Sequence, residues 1–116
     1  FPTRRSSDQT LLFEANEKLE EAEYFFLTQN YPDAAYTVYS SIIQTAKSYL
    51  LKQGVETNSK AQIIESFEPH FEKVAAYLVE DSFLELVDGY IPAQTNLEIL
   101  TAYLATGKRF HQIINS

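Results

Sequence analysis

Lys47, Lys52 and Lys60 lie on either side of Gly54 and are close enough in sequence to converge on one phosphate. A lysine ammonium is a compact point charge suited to that task. No glycine-rich phosphate loop accompanies them, and a solvated mixture of charges is the plainer reading. His70 and His111 are the chain's imidazoles, the side chains best placed to move a proton near neutral pH. His70 follows Pro69 and could touch a ligand at a break between helices. Alone, it lacks the converging polar groups that a binding site needs. His111 reads as a boundary residue near a helix end. Tyr24, Tyr36, Tyr39 and Tyr49 could line a groove on which bases stack. Tyrosines more often pack their rings and keep their hydroxyls wet. Glu65, Glu68 and Glu72 have roughly helical spacing, but Pro69 falls among them, so they make no catalytic pair or metal site. The sequence has no Cys, which removes disulfides, thiolate nucleophiles and Cys-based metal sites. With 2 His, a zinc site would need carboxylate ligands, and no such spacing is present.

The element that must position these groups is the stretch YPDAAYTVYSSIIQTAKSYLLKQG, residues 31–54. Pro32 and Asp33 suit a first helical turn, and Gly54 suits a helix end. Ala35, Tyr39, Ile42, Ala46, Tyr49 and Leu50 form one apolar stripe at three- and four-residue steps. Ala34, Val38, Ser41, Thr45 and Ser48 form a second stripe of small residues. Two packable faces place this helix in the middle of a bundle. Before it, Leu12, Ala15, Leu19, Ala22 and Phe26 predict a helix over 10–29, with Glu14 and Lys18 as a supporting pair. The short turn at Asn30 makes the two helices antiparallel neighbours.

A third helix is expected over 59–66, capped by Asn58 or Thr57, with a break where Pro69 disfavours helical geometry at Glu68. Residues 73–78 are ambiguous between short helix and turn. Ser82 opens a short helix that Gly89 and Pro92 end. Thr95 to Glu98 has the capping-box pattern, which predicts a last helix to about residue 114. Its inner face is expected to carry Leu97, Leu100, Leu104 and His111, widened by Ile99, Tyr103, Phe110 and Ile113, with Gly107 as a weak point.

The 116 residues fit one domain. The net charge of −7 repels phosphate backbones and argues against broad nucleic-acid binding. No apolar run approaches the roughly 20 residues that span a membrane, and absent Cys fits a cytoplasmic protein. The opening FPTRRSSD reads as the in-frame translation of a sequencing-adapter tail. On that reading residues 1–8 are non-native and carry no function. Residues 9–116 are then the C-terminal fragment of a longer protein.

The ordered pieces resemble a HEPN domain. Two long helices with a tight turn come first, the second carrying YxxYSSIIQTAKSYLLKQG, and the capped segment TNSKAQIIESFEPHF follows. The resemblance covers residue 17 to the C-terminus and implies an all-α antiparallel bundle of about five helices. The run TNSKAQIIESFEPHF, then DSFLELV, then a long closing helix is similar to the HEPN extension at the C-terminus of sirohaem-dependent nitrite/sulfite reductases. That implies upstream domains with sirohaem and an iron–sulfur cluster, which this Cys-free piece cannot ligate through thiolates.

Many HEPN ribonucleases carry an Arg, four to six intervening residues, then a His. Here the matching positions before His70 hold Ile63, Ile64 and Glu65, and Arg109 stands only two before His111. The expectation is a non-catalytic accessory domain that packs, dimerises or senses a small ligand or nucleotide. Lys47, Lys52, Lys60 and His70 are its candidate ligand residues. Tyr36 and Tyr39 suit a two-fold interface. The alternatives are a free-standing HEPN protein paired with a minimal nucleotidyltransferase, toxin–antitoxin fashion, and a nucleotide-binding module with no partner enzyme.

Overall fold

The computed structural model describes residues 7–75 and 82–115. Among them there is no strand. The helices are α1 (Ser7–Leu27), α2 (Tyr31–Lys52), α3 (Lys60–Ala75), α4 (Phe83–Asp88), α5 (Tyr90–Ala93) and α6 (Leu97–Asn115). α4 and α5 meet at Gly89, itself in helical geometry, so the expected count of about five holds if they are taken as one bent segment.

α2 is the central element, as its two stripes predict. Ala34, Ala35, Val38, Ser41, Ile42, Thr45, Ala46, Ser48 and Leu50 are all buried. α1 runs antiparallel beside it, burying Ala15, Leu19 and Ala22. The turn between them closes with a Schellman-type motif that satisfies the last carbonyls of α1. The Asn30 amide donates to Phe25 O at 2.8 Å and the Gln29 amide to Phe26 O at 3.2 Å. Gln29 holds φ 65°, left-handed geometry that a side chain rarely adopts. α2 ends the same way. The Val55 amide reaches Leu50 O and the Gly54 amide Leu51 O, with Gly54 at φ 84°.

The small hydroxyl stripe does more than allow close approach. Ser41 Oγ donates to Ala15 O and Ser48 Oγ to Asp8 O, each at 2.7 Å. α1 thus begins earlier than expected and takes in Ser7 and Asp8, the last two residues of the expected inert tail. Asp8 carries a contact to α2, which that expectation did not allow. Residues 1–6 lie outside the described residues.

α3 corrects a second expectation. Its N-cap is Ser59, whose Oγ accepts from the Gln62 amide at 3.2 Å, not Asn58 or Thr57. The helix then continues through Pro69 to Ala75 without a break. An interior proline costs roughly 3 kcal/mol, and packing on both sides offsets it. Phe67 and Phe71 are fully buried, each contributing about 1.5–3 kcal/mol. The Phe67 ring centroid lies 4.7 Å from Phe83 and 5.6 Å from Phe110, which joins α3, α4 and α6 in one aromatic core. Residues 76–78, the rest of the ambiguous segment, lie outside the described residues.

α4 is capped by Ser82 as expected, through Ser82 Oγ and the Glu85 amide. Gly89 and Pro92 do not end the helical course; α5 follows directly, with Pro92 inside it. Gly89 is small for a packing reason, since a Cβ there would lie 3.1 Å from the Tyr103 ring. The cap of α6 is Asn96 rather than Thr95. Asn96 Oδ1 accepts from the amides of Glu98 and Ile99. Leu97 and Ile99 are exposed, and Leu100, Tyr103, Gly107, Phe110 and His111 are the buried face. Gly107 is the crossing point of α6 on α1 and α2. A Cβ there would fall 2.8 Å from Val38 Cγ1 and 3.3 Å from Leu19 Cδ2.

Candidate functional site

The antiparallel pairing of α1 and α2 leaves a groove, and the start of α3 closes one of its sides. Its cavity volume is about 490 Å³. Tyr36, Ser40, Gln44 and Lys47 recur at four- and three-residue steps and so share one face of α2. Lys18 enters from α1 and Lys60 from α3. Leu11, Ile43 and Ile63 supply the apolar part of the wall. Gln44 ties the two long helices together, donating from Nε2 to Glu14 Oε2 at 2.9 Å and to Leu11 O at 3.3 Å. Glu14 therefore bonds across to α2, whereas its spacing suggested pairing with Lys18.

Lys60 is held in place. Its Nζ donates to Tyr36 Oη at 3.2 Å and lies 5.2 and 5.0 Å from the ring centroids of Tyr36 and Tyr39. The ring faces attract the ammonium and the phenol oxygen accepts its proton, so one cation satisfies two tyrosines. The Lys60 hydrogen bond, then its charge, holds the Tyr36 hydroxyl below the usual phenol pKa; Lys18 acts in the same direction more weakly. The same hydrogen bond raises Lys60 above the usual ammonium value. Tyr39 moves the other way, raised by burial. Behind them Tyr90 of α5 packs 4.5 Å from Tyr39 and 6.4 Å from Tyr36, centroid to centroid.

The structure divides the candidate residues. Lys47 and Lys60 share the groove. Lys52 does not; it lines a separate depression of about 420 Å³ at the end of the bundle, beside Tyr49 and Ile114. One helical turn beyond Lys47 plus one residue rotates Lys52 away, because five residues at 100° each do not return to the same face. His70 is not in the groove either. It is half-buried on α3, with its ring 5.3 Å from Tyr49 and 6.3 Å from Phe67, a packing role without the expected helix break. His111 is buried, and its Nε2 lies 2.9 Å from Leu12 O. A carbonyl only accepts, so this nitrogen carries the proton and pins α6 to α1. The four tyrosines do not form one stacking groove. Tyr36 and Tyr39 stand together, Tyr49 belongs to the His70 side, and Tyr24 meets Phe25.

Lys18, Ser40 and Gln44 are the groove residues that sequence reasoning passed over. Lys18 is seven residues after Leu11, two helical turns, which places both on one edge of α1. That spacing was the available signal. Glu68 accepts from the amides of Phe83 and Leu84, so it caps α4. Among the described residues no group of three or more His, Cys, Asp or Glu could hold a metal ion, and no helix is long and apolar enough to cross a membrane.

The HEPN domain family model matches residues 9–107, most of the chain. The chain belongs to the HEPN domain family. No curated protein and no solved structure shows a match.

Proposed function

We propose that this chain is a non-catalytic HEPN module of a larger enzyme, in the manner of the C-terminal extension of sirohaem-dependent nitrite/sulfite reductases. Its role there is packing, dimerisation or the sensing of a small ligand, a nucleotide included. The observation that carries the reading is the fate of the two imidazoles. His111 is engaged with Leu12 O, and His70 is wedged against Tyr49 and Phe67 on another helix. Neither has an Arg before it with four to six residues between. Cleaving a phosphodiester needs a base positioned to take the proton of the attacking hydroxyl and a neighbouring positive charge, and these two groups are placed for packing. With no Cys, the chain's own residues do not fit an iron–sulfur cluster, so that group and sirohaem belong to upstream domains. A cytoplasmic setting goes with this reading.

Incubating the purified chain with end-labelled RNA tests the non-catalytic part, and no cleavage above buffer is expected. Cleavage that disappears in His70→Ala or His111→Ala overturns it. The genomic DNA upstream of Gln9 tests the parent. A continuous frame with Cys-rich cluster motifs supports the reductase. A start codon there, beside a nucleotidyltransferase gene, replaces it with the two-gene reading.

A further inference from the structure

We propose that the groove between α1, α2 and the start of α3 binds a small phosphate dianion, free or as a monoester, through Lys18, Lys47, Lys60 and the Tyr36 hydroxyl. The proposal deepens the ligand-sensing reading above and does not depend on which enzyme the module belongs to.

Charge balance is the first argument. Three ammonium groups from three helices face one carboxylate, Glu14, which Gln44 already engages. The groove therefore holds a surplus of two positive charges in a chain whose net charge is −7. Composition does not produce that surplus; the folding of α3 against α1 and α2 does. A dianion matches it.

Preorganisation is the second. A free lysine loses rotamer freedom when it grips a ligand. Lys60 is already fixed by the Tyr36 oxygen and two ring faces. The Tyr36 oxygen accepts from Lys60, and the Ser40 hydroxyl interacts with it on the same wall of the groove. Charged and neutral donors thus stand side by side, an arrangement that suits phosphate oxygens. The volume of about 490 Å³ is within the usual range for small-molecule sites, roughly 300–1,000 Å³. Leu11, Ile43 and Ile63 offer an apolar wall for the organic part of a monoester.

Isothermal titration of the full chain at fixed ionic strength tests this with inorganic phosphate, ribose 5-phosphate, adenosine 5′-monophosphate and unphosphorylated adenosine. Saturable binding of the phosphorylated probes and none of adenosine is expected. Lys47→Gln or Lys60→Gln should weaken it by about tenfold or more, the usual loss for a charged hydrogen bond. Lys52→Gln, whose side chain lines the other depression, should leave it unchanged. Equal affinity for inorganic phosphate and monoesters assigns the free ion as ligand; tighter monoester binding assigns the ester. No saturable binding, equal binding of adenosine, or an equal loss in Lys52→Gln overturns the proposal. These lysines are not buried, and circular dichroism verifies that each variant folds. Absence of phosphate binding together with absence of RNA cleavage removes the groove and leaves the non-catalytic reading standing. RNA cleavage removes that reading whatever the groove binds.

Discussion

Glu68 on α3 closes the N-terminus of α4 at Phe83. Its Oε1 accepts from the Phe83 amide at 3.0 Å and its Oε2 from Leu84 at 3.3 Å. Ser82 takes the Glu85 amide, so the first three amides of α4 all have side-chain partners. A helix of 6 residues has little stability of its own, and these caps compensate. Glu68→Ala should lower stability by about 1–2 kcal/mol, as for loss of an N-cap. Urea unfolding followed by circular dichroism measures it. An unchanged midpoint would show that α4 is held by Phe83 burial alone.

Gly107 should not accept a methyl group. Ala is the better helix former by up to about 1 kcal/mol, but the new Cβ would crowd Val38 and Leu19, and overpacking costs roughly 1–3 kcal/mol. Net destabilisation is expected for Gly107→Ala. Trimming Val38 to Ala in the same chain should recover part of it, a non-additivity that a double-mutant cycle reads directly.

Gln29 gives the opposite sign. It sits at φ 65° and is exposed, so its side chain brings strain without packing. Gln29→Gly should raise stability by up to about 1 kcal/mol, since left-handed geometry is costly for residues with a Cβ. A fall in the thermal midpoint would mean that the Gln29 side chain makes a contact that outweighs the strain.

The Tyr36–Lys60 pair predicts an ordered alkaline titration. Tyr36 is lowered by Lys60 and Tyr39 is raised by burial, so Tyr36 should ionise first. Lys60 is raised, so its contribution is complete below its unfolded value and is lost as pH rises through the folded one. The lowered phenol contributes above its unfolded value and loses this as pH falls through the folded one. Between the lowered phenol and the raised ammonium, phenolate faces ammonium. Ring-carbon NMR shifts followed against pH test the order. Lys60→Gln should move Tyr36 back up; an unmoved Tyr36 would separate the two groups.

Helices whose stripes are long were legible in the sequence; points set by contacts between distant segments were not. The buried faces of α2 follow from periodicity alone. Pro69 misled, because local propensity has no knowledge of Phe83 and Phe110, which hold the two phenylalanines around it. The cap fell on Asn96 and not Thr95, and Leu97 and Ile99, in the first turn of α6, are exposed because the neighbouring helices meet α6 further along, at Leu100, Tyr103 and Gly107. In the groove, Lys47 and Lys60 were visible as charges near one loop. Lys18 was hidden because its nearest sequence partner, Glu14, turns out to bond Gln44 on another helix. Lys52 was included by proximity along the chain, which a helical turn does not respect.

Ser41 and Ser48 stand seven residues apart on α2, and so do the carbonyls they meet, Ala15 and Asp8 on α1. The pair works as a ratchet with one tooth position. Sliding α1 by half a turn, about 2.7 Å, would unhook both hydroxyls at once and leave buried oxygens without partners. Partial slippage therefore breaks both hydrogen bonds together, which favours this registry over small displacements from it.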